Sequence, residues 1–168
     1  SGIIPQAYAE TDNDKTLSPY FLIKSDNPDL DQLHDPHLMQ DMEKAVQRIT
    51  SALRDGENIL IYGDYDVDGT TGVSLLYEAL FSLGGKVSFY IPNRITDGYG
   101  LSLEGIHAAE SRQVDLIITV DCGITAVDEV EFARTKGIDV IICDHHEPAE
   151  ELPKAHAVLD PKIKGCSY

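Results

Sequence analysis

The chain has no tryptophan, two methionines and three cysteines, and its 13 lysines and arginines face 29 aspartates and glutamates. Each shortage excludes something. Three cysteines, odd in number and without CxxC spacing, do not make a disulfide framework. A formal net charge of -16 argues against a broad basic face that grips nucleic acid. The lack of tryptophan and of a basic groove removes the usual clamp for a single strand. No apolar run approaches the roughly 20 residues that span a bilayer. The N-terminus also lacks the basic-then-apolar pattern of a signal peptide, so a cytoplasmic location is expected.

What remains is ordinary for a folded domain: 168 residues, 42% of them hydrophobic, enough for one sizeable core. The acid excess has two readings. It is a solubilising surface, or it includes a metal site whose acids are counted without their ions. The start at Ser1-Gly2 and the end at Gly165-Cys166-Ser167-Tyr168 read as the boundaries of a piece cut from a longer chain.

Residues 1–35 are polar and punctuated by proline, a lead-in without periodicity. From about His37 to Arg54, apolar residues at helical spacing predict an amphipathic helix, with Asp35-Pro36 as its start and Gly56 as its stop. Strands and helices then alternate. Strand Ile59–Tyr62 precedes a helix from about Thr70 to Leu83, and strand Lys86–Ile91 precedes one from about Ser102 to Ser111. Strand Asp115–Val120 precedes a helix from about Thr125 to Lys136. Strand Ile138–Ile142 leads to a short strand near Ala157–Leu159. This order implies an α/β domain over 36–168, with a parallel sheet of about five strands, right-handed crossovers and flanking helices.

Three acidic clusters each follow a strand: Asp64-Tyr65-Asp66-Val67-Asp68-Gly69, Asp121-Cys122-Gly123 and Asp144-His145-His146. Ligands of open α/β sheets bind beyond the carboxyl ends of the strands. There the clusters would meet, poor in positive partners, and crowded carboxylates call for a cation. Oxygen and imidazole donors together suit a divalent ion such as Mn²⁺. Each cluster has a plainer reading: a turn or calcium loop for the first, a helix cap for the second, a polar loop for the third. An EF-hand lacks its closing glutamate, and Gly63 and Gly69 do not make a dinucleotide fingerprint. Arg94, in the glycine-rich segment after the second strand, suits a phosphate contact or a solvated turn. His34, His37, His107 and His156 are isolated and read as structural or exposed.

The ordered set Asp-Tyr-Asp-Val-Asp-Gly, Val-Asp-Cys-Gly and Asp-His-His-Glu-Pro, with Leu33-His34-Asp35-Pro36 before it and Asp97-Gly98-Tyr99-Gly100-Leu101 between, resembles the DHH phosphoesterase superfamily. Within it the set is similar to the RecJ-like single-strand-specific exonucleases. The resemblance implies phosphodiester hydrolysis, 5′→3′ on single-stranded DNA in recombination and repair, by water activated at Mn²⁺ or Mg²⁺, two ions in the intact protein. It implies that Asp66 and Asp68 are ligands of separate ions, Asp121 a bridging ligand and His145 a ligand. His146 and Arg94 would contact phosphate, and Asp64 and Asp144 would be ligands or supports of ligands. His146 and Asp121 would carry the catalysis. Where some relatives have a metal-binding histidine, this chain has Tyr62, which is not expected to bind metal. The resemblance also implies a fourth acid and further domains beyond Tyr168, holding most of the DNA contacts, and a DHH domain truncated at its C-terminal end. Asp160 comes too early to be that acid and is expected to start a turn. Rival readings are an oligoribonuclease, a cyclic-dinucleotide phosphodiesterase or a pyrophosphatase of the same superfamily, or a non-catalytic scaffold.

Overall fold

Apolar runs bounded by glycine and acid become parallel strands, and the amphipathic stretches between them become helices. The computed structural model describes residues 33–93, 98 and 100–168. Nearly all of the 1–35 lead-in lies outside the described residues, as does Arg94. Residues Asp35–Tyr168 form one unit. After a 3-10 turn at Pro36–Leu38 come α1 (Met42–Asp55), β1 (Asn58–Gly63), α2 (Val67–Ser82), β2 (Lys86–Tyr90), α3 (Leu103–Ser111), β3 (Leu116–Val120), α4 (Val127–Thr135), β4 (Asp139–Cys143) and β5 (Ala157–Leu159).

Two helix starts differ from expectation, and both differences have a cause. The expected single helix from His37 is a 3-10 turn followed by α1. Asp35 caps the turn through His37 N–H at 2.9 Å. The chain then reverses at Asp41, whose φ of 62° is left-handed and whose carboxylate accepts the Val158 N–H of β5 at 3.1 Å. A tertiary bond thus sets where α1 begins. Helix α2 starts at Val67 rather than Thr70, because the Asp66 carboxylate caps it by accepting the Gly69 N–H at 2.9 Å.

The five strands are parallel in the order β2-β1-β3-β4-β5. Alternate strand residues go to opposite faces. Ile59, Ile61, Leu116, Ile118 and Ile141 share one core with Ala45 and Ala52 of α1 and Val73 and Leu80 of α2. Leu60, Tyr62, Ile117, Val140 and Ile142 share the other with Ile106 and Ala109 of α3 and Val130 and Ala133 of α4. Burial on both faces is why the central strands read as unbroken apolar runs. At the amino edge, Arg48 of α1 reaches Glu57 and Asp139, each at 2.7 Å, and so ties the helix to the starts of β1 and β4.

The strand order reverses at β1: the chain leaves it for β2 on one side and returns to β3 on the other. Such a reversal opens a crevice at the carboxyl ends of the two central strands. The turns after β1 and β3 therefore face each other across it.

Ile118 lies in the middle of β3 with no exposed surface. Ile118→Ala should lower unfolding stability by about 2–5 kcal/mol, the range for a large core side chain cut to alanine. Urea unfolding with an unchanged slope would check it, and a loss below 1 kcal/mol would contradict the central place of β3.

Candidate metal centre

The carboxyl edge is assembled from three turns, each constrained by backbone bonds. After β1, Asp64 is 1% exposed, and its Oδ1 has no hydrogen-bond partner. The first turn of α2 lies directly on it: a Cβ at Gly69 would collide with the Asp64 backbone. Glycine is required there by close approach. Asp66 follows, exposed and facing the crevice end of the helix it caps. The Gly69 N–H is the first cause that holds its carboxyl below the usual range, helped by the Asp68 N–H.

After β3, Asp121 takes a left-handed backbone with φ 63°, a conformation that aspartate tolerates better than most residues. Its N–H donates to the Cys143 carbonyl at 2.9 Å, so the turn is tied to the end of β4. Its side chain is 7% exposed. Burial, then the neighbouring Asp66 carboxyl, raises the pKa of Asp121, against the opposing pull of His145. The two carboxyls thus shift in opposite directions, as expected of neighbouring like charges in unlike surroundings.

After β4, Asp144 organises both histidines. Its Oδ2 accepts the Ile124 N–H at 2.9 Å. Its Oδ1 accepts the His145 N–H at 2.7 Å, the His146 N–H at 3.2 Å and, at 2.7 Å, the His146 Nδ1–H. That last bond raises the pKa of His146 above the ordinary imidazole value. With Nδ1 engaged, chemistry at this ring runs through Nε2. His145 Nε2 lies 2.8 Å from Asp121 Oδ1.

Two groups of donors result. Donor atoms of Asp64, Asp66 and Asp121 all lie within 4.8 Å of one another, and so do those of Asp121, His145 and His146. Asp121 belongs to both. Among the described residues, no lysine or arginine forms an ion pair with Asp64, Asp66 or Asp121. Crowded carboxylates, an orphaned buried oxygen and two imidazoles fit a divalent cation of intermediate softness. Asp64, Asp66 and Asp121 with His145 would hold it, and His146 is left with Nε2 for a phosphate contact.

Two residues in the expected ligand set stand apart. Asp68 is exposed in the first turn of α2 and belongs to neither group. Asp144 is also outside them; its oxygens accept backbone N–H groups and the His146 Nδ1–H, which orients that ring. Arg94 lies outside the described residues. Asp160 starts a turn, accepting the Lys162 N–H at 2.7 Å. The role of Tyr62, whose hydroxyl bonds the β2–α3 loop at the Gly100 carbonyl, carries no signal in sequence, since a tyrosine at a strand end looks like any core residue.

The His146–Asp144 bond can be tested in the metal-free chain. The folded pKa of His146 is raised, so its contribution to stability is present below the unfolded value and fades as pH rises through the folded one. NMR titration should place the His146 midpoint above that of a free imidazole. Asp144→Asn should bring it down; an unmoved midpoint would show that Asp144 is not its cause.

Comparison with known proteins bears on the same residues. The model of the DHH family, N-terminal domain, matches residues 58–167. The single-stranded-DNA-specific exonuclease RecJ of Bacillus subtilis is 47% identical over 135 residues, which is 80% of this chain and 17% of that protein. The RecJ of Escherichia coli is 44% identical over 128 residues, 76% of this chain and 22% of that protein. A crystal structure of exonuclease RecJ bound to manganese superposes with a TM-score of 0.70 at 36% identity, covering 76% of this chain and 32% of that one. The chain spans less than a quarter of the length of these two curated relatives. The family match runs through every residue of the two donor groups, from Asp64 to His146, and the chain belongs to the DHH family, whose N-terminal domain it carries.

Proposed function

We propose that the protein carrying this chain is a metal-dependent exonuclease that removes nucleotides from the 5′ end of single-stranded DNA, in the cytoplasm, in recombination and repair. The observation that carries this reading is the shared place of Asp121 in two donor groups. One carboxylate common to two groups suits a pair of ions that clamp a phosphate between attacking and leaving oxygens. The named activity of the B. subtilis and E. coli relatives, and the manganese of the superposed structure, support the same reading.

Manganese held here would polarise the scissile phosphate and lower the pKa of the water that attacks it. The rest falls to the chain's own residues. Asp121 and Asp66, brought together at the crevice, would supply carboxylate oxygens to the ion. Asp144 keeps His146 oriented through its Nδ1, so that Nε2 is the atom turned to a phosphate oxygen. The first turn of α2 packs directly on the Asp64 backbone and so places its carboxylate at the crevice.

Grip on the strand is a separate matter. At a net charge of -16 and without tryptophan, this segment lacks the basic groove and stacking platform of single-strand binders. Those would come from domains of the longer protein. The described residues contain no helix long and apolar enough to cross a membrane.

Two experiments test the reading. Calorimetry with Mn²⁺ on this chain should show binding that Asp121→Asn weakens at least tenfold, since that variant depletes both groups. In the full-length protein, the same variant should lose more than 99% of its exonuclease activity on 5′-phosphorylated single strands at saturating Mn²⁺. Near-normal turnover would remove Asp121 from the chemistry.

A further inference from the structure

Tyr62 is the last large side chain of β1 before the Asp64 turn, and it has no exposed surface. Its ring stacks on Tyr90 with centroids 5.1 Å apart. Helix α3 comes so close that a Cβ at Gly105 would collide with the ring. Burial pushes the Tyr62 hydroxyl up to about 12, so it remains a neutral donor. It donates to the Gly100 carbonyl at 3.0 Å. Ser102 Oγ stands 3.3 Å from the Tyr62 hydroxyl oxygen and also accepts the Gly105 N–H at 3.1 Å, capping α3. The end of the β2–α3 loop is thereby tied to the strand that carries Asp64 and Asp66.

That loop end forms one wall of a cavity of about 320 Å³ beside the metal centre, lined among others by Gly100, Leu101, Ile124, Glu129, Asp144 and His146. The volume is at the lower end for a small-molecule site. Its chemistry is selective. Leu101 and Ile124 supply apolar wall, and Glu129 supplies an acceptor. Among the described lining residues there is no lysine or arginine. Such a cavity disfavours a phosphate and suits an uncharged group that donates hydrogen bonds. His146 stands at its edge, so a phosphate beside that ring would place its attached sugar and base within reach of the cavity.

We propose that this cavity receives the nucleoside of the strand's terminal nucleotide, and that Tyr62 is a positioning residue which holds the cavity wall through its hydroxyl bond to Gly100. The inference rests on the exonuclease reading above and deepens it. The partners of the Tyr62 side chain are Gly100, Ser102 and Tyr90. Tyr62 acts by fixing Gly100 and Leu101 relative to His146. Without the hydroxyl, the buried Gly100 carbonyl loses its partner and the loop end is free to shift.

The test is deoxyadenosine monophosphate binding to the Mn²⁺-loaded chain, followed by calorimetry. The wild-type chain should bind it. Tyr62→Phe, which keeps the ring and its packing, should weaken that binding about tenfold while Mn²⁺ affinity stays within twofold. Hydrogen exchange at the Leu101 and Ser102 amides should quicken in the same variant. If Tyr62→Phe does not fold, Leu101→Ala alters the same wall and should weaken the nucleotide to a similar degree. An unchanged nucleotide affinity, a parallel loss of Mn²⁺ affinity, or no nucleotide binding by the wild-type chain would each overturn the proposal. Nucleotide binding that follows this pattern, in a full-length protein that leaves single-stranded DNA intact, would instead sink the exonuclease reading and leave the cavity assignment standing.

Discussion

The placing of the Asp121 carboxylate between the carboxylate of Asp66 and the imidazole of His145 is the constraint on which the rest of the sheet edge depends. Like charges at that separation repel, and burial of Asp121 sharpens the repulsion. Several features hold it there regardless. The left-handed backbone of Asp121 turns its side chain inward, and its N–H is locked to the end of β4. The Asp66 side chain is fixed as the cap of α2. A divalent cation would relieve the repulsion between the two carboxyls.

The rigidity of the edge comes from the bonds behind it. Asp144 uses both oxygens to stitch the β3–α4 turn to the two histidines. The first turn of α2 presses on Asp64 with only a glycine between. Tyr62 couples the turn after β1 to the loop after β2. These groups present few donors to a ligand, yet they decide where the donors stand. A site assembled this way is preorganised, and its members lose little freedom when a ligand arrives.

Such crowding opposes stability, and the two apolar cores offset it. The central strands are buried on both faces. Arg48 joins Glu57 and Asp139 at the opposite edge from the acids, so the charges at the amino edge are paired while those at the carboxyl edge are held apart for a cation. The asymmetry is what a sheet with its ligands at the strand carboxyl ends requires.

Much of this was legible in the residues themselves. The runs around Ile59–Tyr62, Leu116–Val120 and Val140–Ile142 could only be buried parallel strands between helices, because both faces were apolar. The acids and histidines directly after them had to gather at one edge. What sequence alone did not determine was the role of each acid. Asp66, Asp68 and Asp144 are equally acidic, and only the tertiary structure separates them. Asp66 caps α2, Asp68 lies exposed in the first turn of that helix, and Asp144 accepts the Ile124 N–H. The break before α1 follows from a bond between Asp41 and β5, 117 residues away. The anchoring role of Tyr62 depends on a loop 38 residues distant. Periodicity and composition report which surfaces are buried, since burial is a property of each residue. Hydrogen-bond partners across the chain are a property of pairs, and they exist only once the chain has folded.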